Sequence, residues 1–357
     1  MDGLTELAPQ TEIDSRALEH ARMVMEAMLV DGQVVPLLGA GVNLCGRRPD
    51  QGWQAGQVLP NGEELAALLA RKVPGYPPSV LEDLLRVSQC VDHKRGWKVL
   101  YMTLHDLFDA DYQPSDLHRL LAGMPKLMAS LERAPRETHL LLVTTNYDDV
   151  LERALDDAGE EYDLVWYVAR GERMGKFMHK PPNEDARVIE DPDQYVEPLN
   201  LAERSVVLKI HGAVDRPSGD NDSYVITEDN YIDYLTRTDI RKLIPKGLAA
   251  KLRNSNILFL GYSMRDWNLR AIFRRVWQEE KLGWKSWAIR RPLDPLPHDE
   301  ADDPVAQKRQ RQNELEQELE EAFWNDRGVD IFDVDLTIYN HALEQAAREL
   351  VTSSGNP

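Results

Sequence analysis

Apolar and polar positions along the chain repeat one arrangement, in which a short apolar run is followed by a glycine or polar turn and then by a helical pattern. Three segments show it: QVVPLLGAGVN at 33–43, HLLLVTTNYDDVLERAL at 139–155 and NILFLGYSMRDWNLRAIFRRVW at 256–277. Continuous apolar runs are typical of strands buried on both faces, as in a parallel sheet covered by helices. The pattern therefore predicts an α/β fold with a doubly wound parallel sheet.

Three further apolar runs extend the predicted sheet. They are VVLKIHG at 206–212, SWAIRRP at 286–292 and VDIFDVD at 329–335. Together with the first three runs they predict a sheet of about six strands, which is a common sheet size.

The remaining segments divide the chain around this sheet. Helical periodicity over 61–137 predicts a helical insertion, whereas proline-containing breaks over 169–204 predict a loop insertion. A helical segment at 1–32 precedes the main α/β domain, which we place at 33–292. Residues 293–357 are expected to add a charged helix, a final strand and a C-terminal helix that pack on the same domain.

Composition narrows the classes of function. The chain has 42 Lys and Arg residues against 61 Asp and Glu, a net charge of −19, which argues against direct binding of nucleic acid. No apolar run approaches the roughly 18 residues of a membrane span, and the N-terminus lacks the pattern of a signal peptide. Two cysteines, Cys45 and Cys90, are too few for a four-thiolate zinc site or a disulfide framework. We expect a soluble, cytoplasmic protein without zinc.

A glycine turn follows the first predicted strand. Gly39, Ala40 and Gly41 would allow the backbone to approach a phosphate closely, although they do not form the GxGxxG dinucleotide fingerprint. A tight structural turn is the alternative interpretation of the same residues.

Polar residues also follow the second predicted strand, at the carboxyl edge where open α/β sheets place their ligands. The amide of Asn146 could orient a water or a ribose hydroxyl, and Asp148 could accept a hydrogen bond from a carboxamide. Either side chain could instead cap the predicted helix DDVLERAL.

Two more strand ends carry candidate residues. His211 titrates near neutrality when unperturbed, so it suits a general base, although a lone histidine at a strand end is often structural. Ser263 and Asp266 have the S-x-x-D form of a capping box, and the helix that they start could also hold a phosphate or ribose.

The ordered motifs Gly-Ala-Gly, Thr-Asn-Tyr-Asp, His-Gly and Gly-Tyr-Ser resemble those of sirtuins. More closely, GAGVN, TTNYD, KIHG, GYSMRDWNLR and WNDRGVDIFDVDL are similar to the sirtuin-like domains of bacterial antiviral defence proteins, over about residues 33 to 350. The resemblance implies a Rossmann-like form of the doubly wound fold and NAD as the ligand.

The resemblance also implies individual roles. Asn146 and Asp148 would contact the nicotinamide ribose and carboxamide, and His211 would be the acid/base residue. Asn43 stands where sirtuins have a serine, and Thr145 belongs to the same NAD-binding motifs. The remaining implied contacts are Gly39, Ala40 and Gly41 with the pyrophosphate, and Gly261 and Ser263 with the adenosine half.

The missing zinc module is the main departure from sirtuins, because their deacylases use it to build the acyl-peptide cleft. Without an acyl-lysine, water becomes the nucleophile, and the expected products are nicotinamide and ADP-ribose. The resemblance implies an NAD-depleting defence effector, a homo-oligomer, and a HerA-type ring ATPase or an Argonaute-like protein as a possible partner. A subunit that binds NAD or ADP-ribose without cleaving it is the main alternative, and an NAD-dependent deacylase is a weaker one.

Overall fold

The structure is a computed structural model. It describes residues 15–48, 51–77, 83–132, 134–135, 137–195, 199–236, 244–262, 264, 270, 284–293, 295–297 and 303–354.

Strands and helices alternate along most of the described chain. The strands are β1 (Val34–Leu38), β2 (Leu141–Thr144), β3 (Tyr162–Tyr167), β4 (Phe177–Lys180), β5 (Arg187–Val188), β6 (Ser205–Lys209), β7 (Asn256–Leu260), β8 (Ser286–Arg290) and β9 (Val329–Asp333). The α-helices are α1 (Ser15–Leu29), α2 (Gly62–Ala70), α3 (Leu84–Arg95), α4 (Trp97–Phe108), α5 (Asp116–Ser130), α6 (Val150–Ala158), α7 (Glu228–Thr236), α8 (Lys246–Arg253), α9 (Pro304–Asn325) and α10 (Leu336–Ser354). A 3₁₀ helix spans Ala40–Leu44.

All nine strands form one sheet in the order β5-β4-β3-β6-β2-β1-β7-β8-β9. Strands β3, β6, β2, β1, β7, β8 and β9 pair parallel in that order, whereas β4 pairs antiparallel with both β3 and β5 at one edge of the sheet. The chain leaves β1 toward β2 on one side, whereas it leaves β7 toward β8 on the other. This reversal between neighbouring strands is a topological switch point, where doubly wound folds open a crevice for ligands.

Helices cover both faces of the sheet. Along β1, Val35 and Leu37 pack into one apolar core with helices α7, α8 and α9, because alternate side chains of a strand point to opposite faces. Val34 and Leu38 pack on the opposite face with α1, α5, α6 and α10. A third core joins α2, α3 and α4 beside Tyr147. The predicted doubly wound α/β fold is confirmed.

The sheet is larger than the predicted one. All six predicted strands are present, but β3 is an additional parallel strand that the sequence pattern did not reveal. Its residues YDLVWY begin an apolar run at 164–169, but a turn and not a helix follows it, so the segment does not fit the repeated arrangement. The stretch 169–204 was predicted as a loop insertion and instead contributes β4 and β5.

The helical pattern predicted over 61–137 coincides with helices α2 to α5. The helix predicted after Tyr262 lies outside the described residues, apart from Met264 and Arg270. Among the helices that the structure describes, none has the length and apolar character needed to span a bilayer.

Candidate functional site

A cavity of about 1180 Å³ opens along the carboxyl ends of the parallel strands. Its volume slightly exceeds the range of most small-molecule sites, roughly 300–1,000 Å³. Loops after four neighbouring strands supply its centre, and the residues concerned are Ala40, Gly41, Asn43, Thr145, Asn146, Tyr147, Asp148, His211, Gly261 and Tyr262. The structure therefore brings together the candidates that the sequence placed at separate strand ends. Ser263 lies outside the described residues.

Three glycines let the loops after β1 and β7 touch. A Cβ atom on Gly41 would lie 2.6 Å from the carbonyl oxygen of Gly261, and one on Gly39 would lie 2.8 Å from the same atom. Gly261 has a φ of +68°, which favours glycine, and a Cβ there would collide with the backbone of Val42. The glycines are thus required by the contact between the two loops.

Backbone amides of the glycine turn are already engaged within the protein. The Gly39 N–H donates to Leu260 O at 2.9 Å, and the Gly41 N–H donates to Gly261 O at 2.8 Å. The Val42 N–H turns back to the Gly39 carbonyl at 3.1 Å. These hydrogen bonds hold the turn rigidly beside the cavity. The three amides therefore stabilise a tight structural turn, which is the alternative interpretation of this glycine motif.

Asn146 links the loops after β1 and β2. Its backbone N–H donates to Thr144 Oγ1 at 2.9 Å, and its side-chain Nδ2 donates to the Gly39 carbonyl at 3.3 Å. The side chain is 9% exposed and borders the cavity. Asn146 therefore does not cap α6, and its amide faces the glycine turn.

Asp148 lies two residues before the first residue of helix α6, Val150. Its Oδ1 accepts from the Val150 N–H at 3.2 Å, so the capping alternative describes this side chain, which also borders the cavity. Burial raises the pKa of the Asp148 carboxyl, while nearby Lys209 acts in the opposite direction. Lys209 lies on the neighbouring strand β6 and donates to the backbone carbonyl of Asp148.

Lys209 is a site residue that the sequence reasoning missed. Its Nζ donates to Glu152 Oε1 at 2.6 Å and to the Asp148 carbonyl, and its side chain is 1% exposed. This buried ion pair fastens the start of α6 to the end of β6. The signal was present in the sequence, because a lysine interrupts the apolar run VVLKIHG.

His211 lines the cavity and is held in place by a neighbouring tyrosine. Its Nδ1 lies 3.1 Å from Tyr231 Oη, and its buried Nε2 has no hydrogen-bond partner within the described part of the chain. Burial lowers the pKa of His211 to about 3, so the imidazole is neutral at physiological pH. Tyr231, which the sequence did not single out, holds the ring from its other side.

Tyr147 ties the loops that carry Asn146 and His211. Its Oη donates to Val225 O at 2.7 Å, and its carbonyl accepts from the Val214 N–H at 2.9 Å. The Val225 N–H in turn donates to the His211 carbonyl at 2.9 Å. The segment after His211 is thereby wrapped around Tyr147, which fixes the two candidate side chains relative to each other.

Thr145 and Asn43 complete this end of the cavity. Thr145 Oγ1 lies 3.0 Å from Tyr262 Oη, which joins the loops after β2 and β7. Asn43 Nδ2 donates to Pro60 O at 3.4 Å, while its buried Oδ1 has no partner among the described residues. An unpaired buried acceptor of this kind is available to a ligand donor.

The far end of the cavity is built from paired charges. Arg290 at the end of β8 forms two hydrogen bonds with Asp333, at 2.5 and 2.7 Å, and lies 3.8 Å from Glu320. Nearer the mouth, Arg47 is held bidentately by Glu64 at 2.6 and 2.9 Å. These arginines line the cavity with their hydrogen-bonding groups committed to carboxylates.

The site's chemistry is that of a neutral imidazole beside an amide. Burial raises the pKa of the Cys45 thiol to about 11, so this cysteine supplies no thiolate at neutral pH. Within the described ranges, no three His, Cys, Asp or Glu side chains are grouped so as to hold a metal ion. Both His211 and Asn146 line the cavity, where their side chains could orient a hydroxyl group.

The fold and site define a class: an α/β protein with a ligand cavity at the switch point of a doubly wound sheet. Residues 140–332, over half of the chain, match the family model described as SIR2-like domain. The chain belongs to this family. The match includes Asn146, Asp148 and His211, whereas the glycine turn after β1 lies before it.

Known proteins similar to this chain carry related names. A protein named NAD(+) hydrolase ThsA from Cytobacillus dafuensis is 27% identical over 194 residues, which cover 54% of this chain and 30% of that protein. Defense-associated sirtuin 2 from Bacillus subtilis is 23% identical over 287 residues, covering 80% of this chain and 23% of that protein. The aligned region therefore spans less than a third of either relative.

A solved structure, "Structure of Sir2Tm bound to a propionylated peptide", covers 94% of this chain and is itself covered to 98%, at 13% identity. The TM-score is 0.34, so we draw no argument from that likeness.

Proposed function

We propose that this chain cleaves NAD to nicotinamide and ADP-ribose and acts as an NAD-depleting effector of bacterial antiviral defence. The observation that carries the proposal is that His211, whose buried Nε2 has no hydrogen-bond partner among the described residues, lines the same cavity as Asn146. The SIR2-like family and the names of the two relatives support the same chemistry.

The reaction requires little charged machinery. The bond between the nicotinamide nitrogen and C1′ of the ribose breaks, and its electron pair neutralises the positive ring nitrogen, which gives neutral nicotinamide. Water then forms a bond to C1′ of the ribosyl cation, and the proton that it loses passes to His211 Nε2 and on to solvent. A neutral imidazole can take this proton without first losing one of its own.

The other residues of the site bind and orient the substrate. Asn146 positions a ribose hydroxyl or the attacking water with its amide, and Asp148 interacts with the carboxamide or stabilises the loop. Asn43 and Thr145 lie beside the same end of NAD. The pyrophosphate lies near Gly39, Ala40 and Gly41, and the adenosine half lies near Gly261 and Ser263.

Hydrolysis is favoured over deacylation. The whole sequence contains two cysteines, which cannot supply the four thiolates of the sirtuin zinc module. An acyl-peptide cleft built on that module therefore cannot form in the same way. Detection of O-acetyl-ADP-ribose with an acetylated peptide would contradict this part of the proposal.

A destructive enzyme needs control, so we further propose that the protein is cytoplasmic and is activated by assembly or by a partner. The partner would be a HerA-type ring ATPase or an Argonaute-like protein, as the resemblance to defence systems suggests. Non-catalytic sensing of NAD or ADP-ribose is the competing function, and the intact pair of Asn146 and His211 favours catalysis.

A fluorogenic etheno-NAD assay of the purified chain, alone and with its genomic neighbour, tests the proposal. We expect hydrolysis by the wild type, and its loss in Asn146→Ala and His211→Ala with unchanged circular dichroism. His93→Ala is the matched control, because His93 is two-thirds exposed and distant in sequence from the cavity loops. Tight NAD binding without cleavage under every condition would contradict the enzyme and favour the sensor.

A further inference from the structure

Helix α9 has one face committed to the domain. Ala306, Glu320 and Trp324 are buried, and the Trp324 Nε1–H donates to the Met264 carbonyl at 3.1 Å. Asn313 and Gln317, together with Glu320, line the cavity. This helix therefore forms part of the wall of the proposed NAD site.

The opposite face carries two adjacent exposed leucines. Leu315 is 56% exposed and Leu319 is 63% exposed. With about 100° between successive residues, side chains four positions apart lie on the same side of a helix, and these two lie roughly opposite Trp324. Single exposed leucines are ordinary, but two stacked at the middle of a charged helix form an apolar centre.

Charges on α9 are divided between its halves. The first half is basic, with Lys308, Arg309 and Arg311, and the second half is acidic, with Glu314, Glu316, Glu318, Glu320 and Glu321. The helix dipole favours acidic residues near the N-terminus and basic residues near the C-terminus, so this division is the reverse of what stabilises an isolated helix. Lys308, Arg311 and Glu318 form no ion pair with any residue that the structure describes.

We propose that α9 pairs antiparallel with α9 of a second copy of this chain, about a twofold axis near Leu315. An antiparallel pair places the basic half of each helix against the acidic half of the other, and a twofold axis repeats each contact. Lys308 and Arg311 of each copy then face the glutamates around Glu318, while the leucines pack at the centre. A parallel pair would instead place like charges together.

The interface couples assembly to the cavity. One face of α9 meets the second copy while the other face lines the cavity, so pairing restrains a wall of the site. This consequence rests on the proposed function, but the pairing itself does not. Because its contacts include exposed charges, the association should weaken as salt is raised.

Charge reversal tests the pairing by sedimentation equilibrium of the full chain at low salt. Variant one is Lys308→Glu with Arg311→Glu, and variant two is Glu314→Lys with Glu318→Lys. We expect the wild type to self-associate above its 40.8 kDa mass. Each variant alone should associate at least tenfold more weakly than the wild type, whereas an equal mixture of the two should recover association.

A second pair of variants separates apolar from charged contacts. Leu315→Glu with Leu319→Glu should also weaken association at least tenfold, while Met102→Glu, at an apolar position 64% exposed on α4, should behave like the wild type. Circular dichroism establishes that each variant is folded. A monomeric wild type, variants that associate as the wild type does, or a mixture no more associated than its components would overturn the proposal. None of these readouts depends on NAD cleavage.

Discussion

The two ends of the cavity are built on opposite principles. At the His211 end, buried polar atoms are left without partners, notably His211 Nε2 and Asn43 Oδ1. At the Arg290 end, the charged groups are paired, since Arg290 meets Asp333 and Glu320. Both ends perturb the pKa values of their residues, so a perturbed pKa alone does not identify the reactive end. Unsatisfied hydrogen-bonding capacity distinguishes them.

The largest expected effect comes from the reactive end. His211→Gln should lower the kcat/KM of NAD cleavage by about 100-fold to 10,000-fold, which is the usual contribution of a general acid or base. The free energy of unfolding should change by less than about 1.5 kcal/mol, because glutamine keeps a polar group beside Tyr231. Steady-state kinetics and urea unfolding measure the two quantities. Cleavage within threefold of wild type would remove His211 from the reaction.

Lys209→Met should give the next largest effect, this time on stability. The substitution leaves the buried Glu152 carboxylate without its cation, and breaking a buried pair costs about 3–5 kcal/mol. Urea unfolding checks the loss. Glu152→Gln together with Lys209→Met should recover part of it, because no unpaired charge remains. A single variant as stable as the wild type would show that the pair does not fasten α6 to β6.

Acid should destabilise the protein through His118. Burial lowers the pKa of His118 to about 4, and its Nδ1 accepts from the Ser115 N–H at 3.3 Å at the start of α5. The unfolded chain therefore binds this proton more readily than the folded chain does. The stabilisation is complete above the unfolded value of 6.5 and is lost progressively as pH falls toward 4, by about 3 kcal/mol at 1.36 kcal/mol per pKa unit.

Unfolding at pH 7.5 and pH 4.5 tests this prediction. His118→Gln should reduce the difference between the two pH values, since glutamine can accept the same hydrogen bond without titrating. His93→Gln is the exposed control and should leave the difference as in wild type. An equal pH dependence in His118→Gln and wild type would assign the acid sensitivity to other groups.

The smallest expected effect lies at the paired end. Arg290→Met should destabilise the chain by about 2 kcal/mol, because the hydrogen-bonded partner Asp333 is 42% exposed and keeps some hydration, while the buried Glu320 lies farther away at 3.8 Å. The kcat of the folded protein should stay within about tenfold. Lys285→Met, at the residue before β8, breaks an exposed pair with Asp330 and should cost under about 0.5 kcal/mol. A large loss of kcat with unchanged stability would reverse the comparison between the ends.

The fold could be predicted from the sequence wherever an apolar run, a turn and a helical pattern followed one another along the chain. Strands that are buried on both faces, such as β1 and β7, produce continuous apolar runs in the sequence. The presence of these strands, and their doubly wound arrangement, could therefore be predicted. Strand β3 contains such a run over 164–167, but a turn and a second strand follow it where the repeated arrangement has a helix. The short edge strands β4 and β5 depend on pairing with β3. Their identity is set by tertiary contacts that a local pattern does not contain.

The residues of the candidate site that follow strands could be predicted from the sequence, but the hydrogen bonds and ion pairs that hold them in place could not. Asn146 and His211 follow predicted strands, so their meeting at one edge follows from parallel pairing. The roles of Tyr231 and Lys209 depend on distant partners, so no spacing rule reveals them. Asp148 is different, because its hydrogen bond to the Val150 N–H joins residues that are close in sequence. Helix capping by Asp148 could therefore be considered from the sequence alone.

The most direct test of the difference between the His211 end and the Arg290 end of the cavity is a crystal structure of the His211→Ala protein soaked with NAD. We expect the nicotinamide ribose to lie beside Asn146 and position 211, with the adenosine half extending past Gly261 toward Arg290. Adenine at the position of His211, or NAD bound outside this cavity, would contradict it.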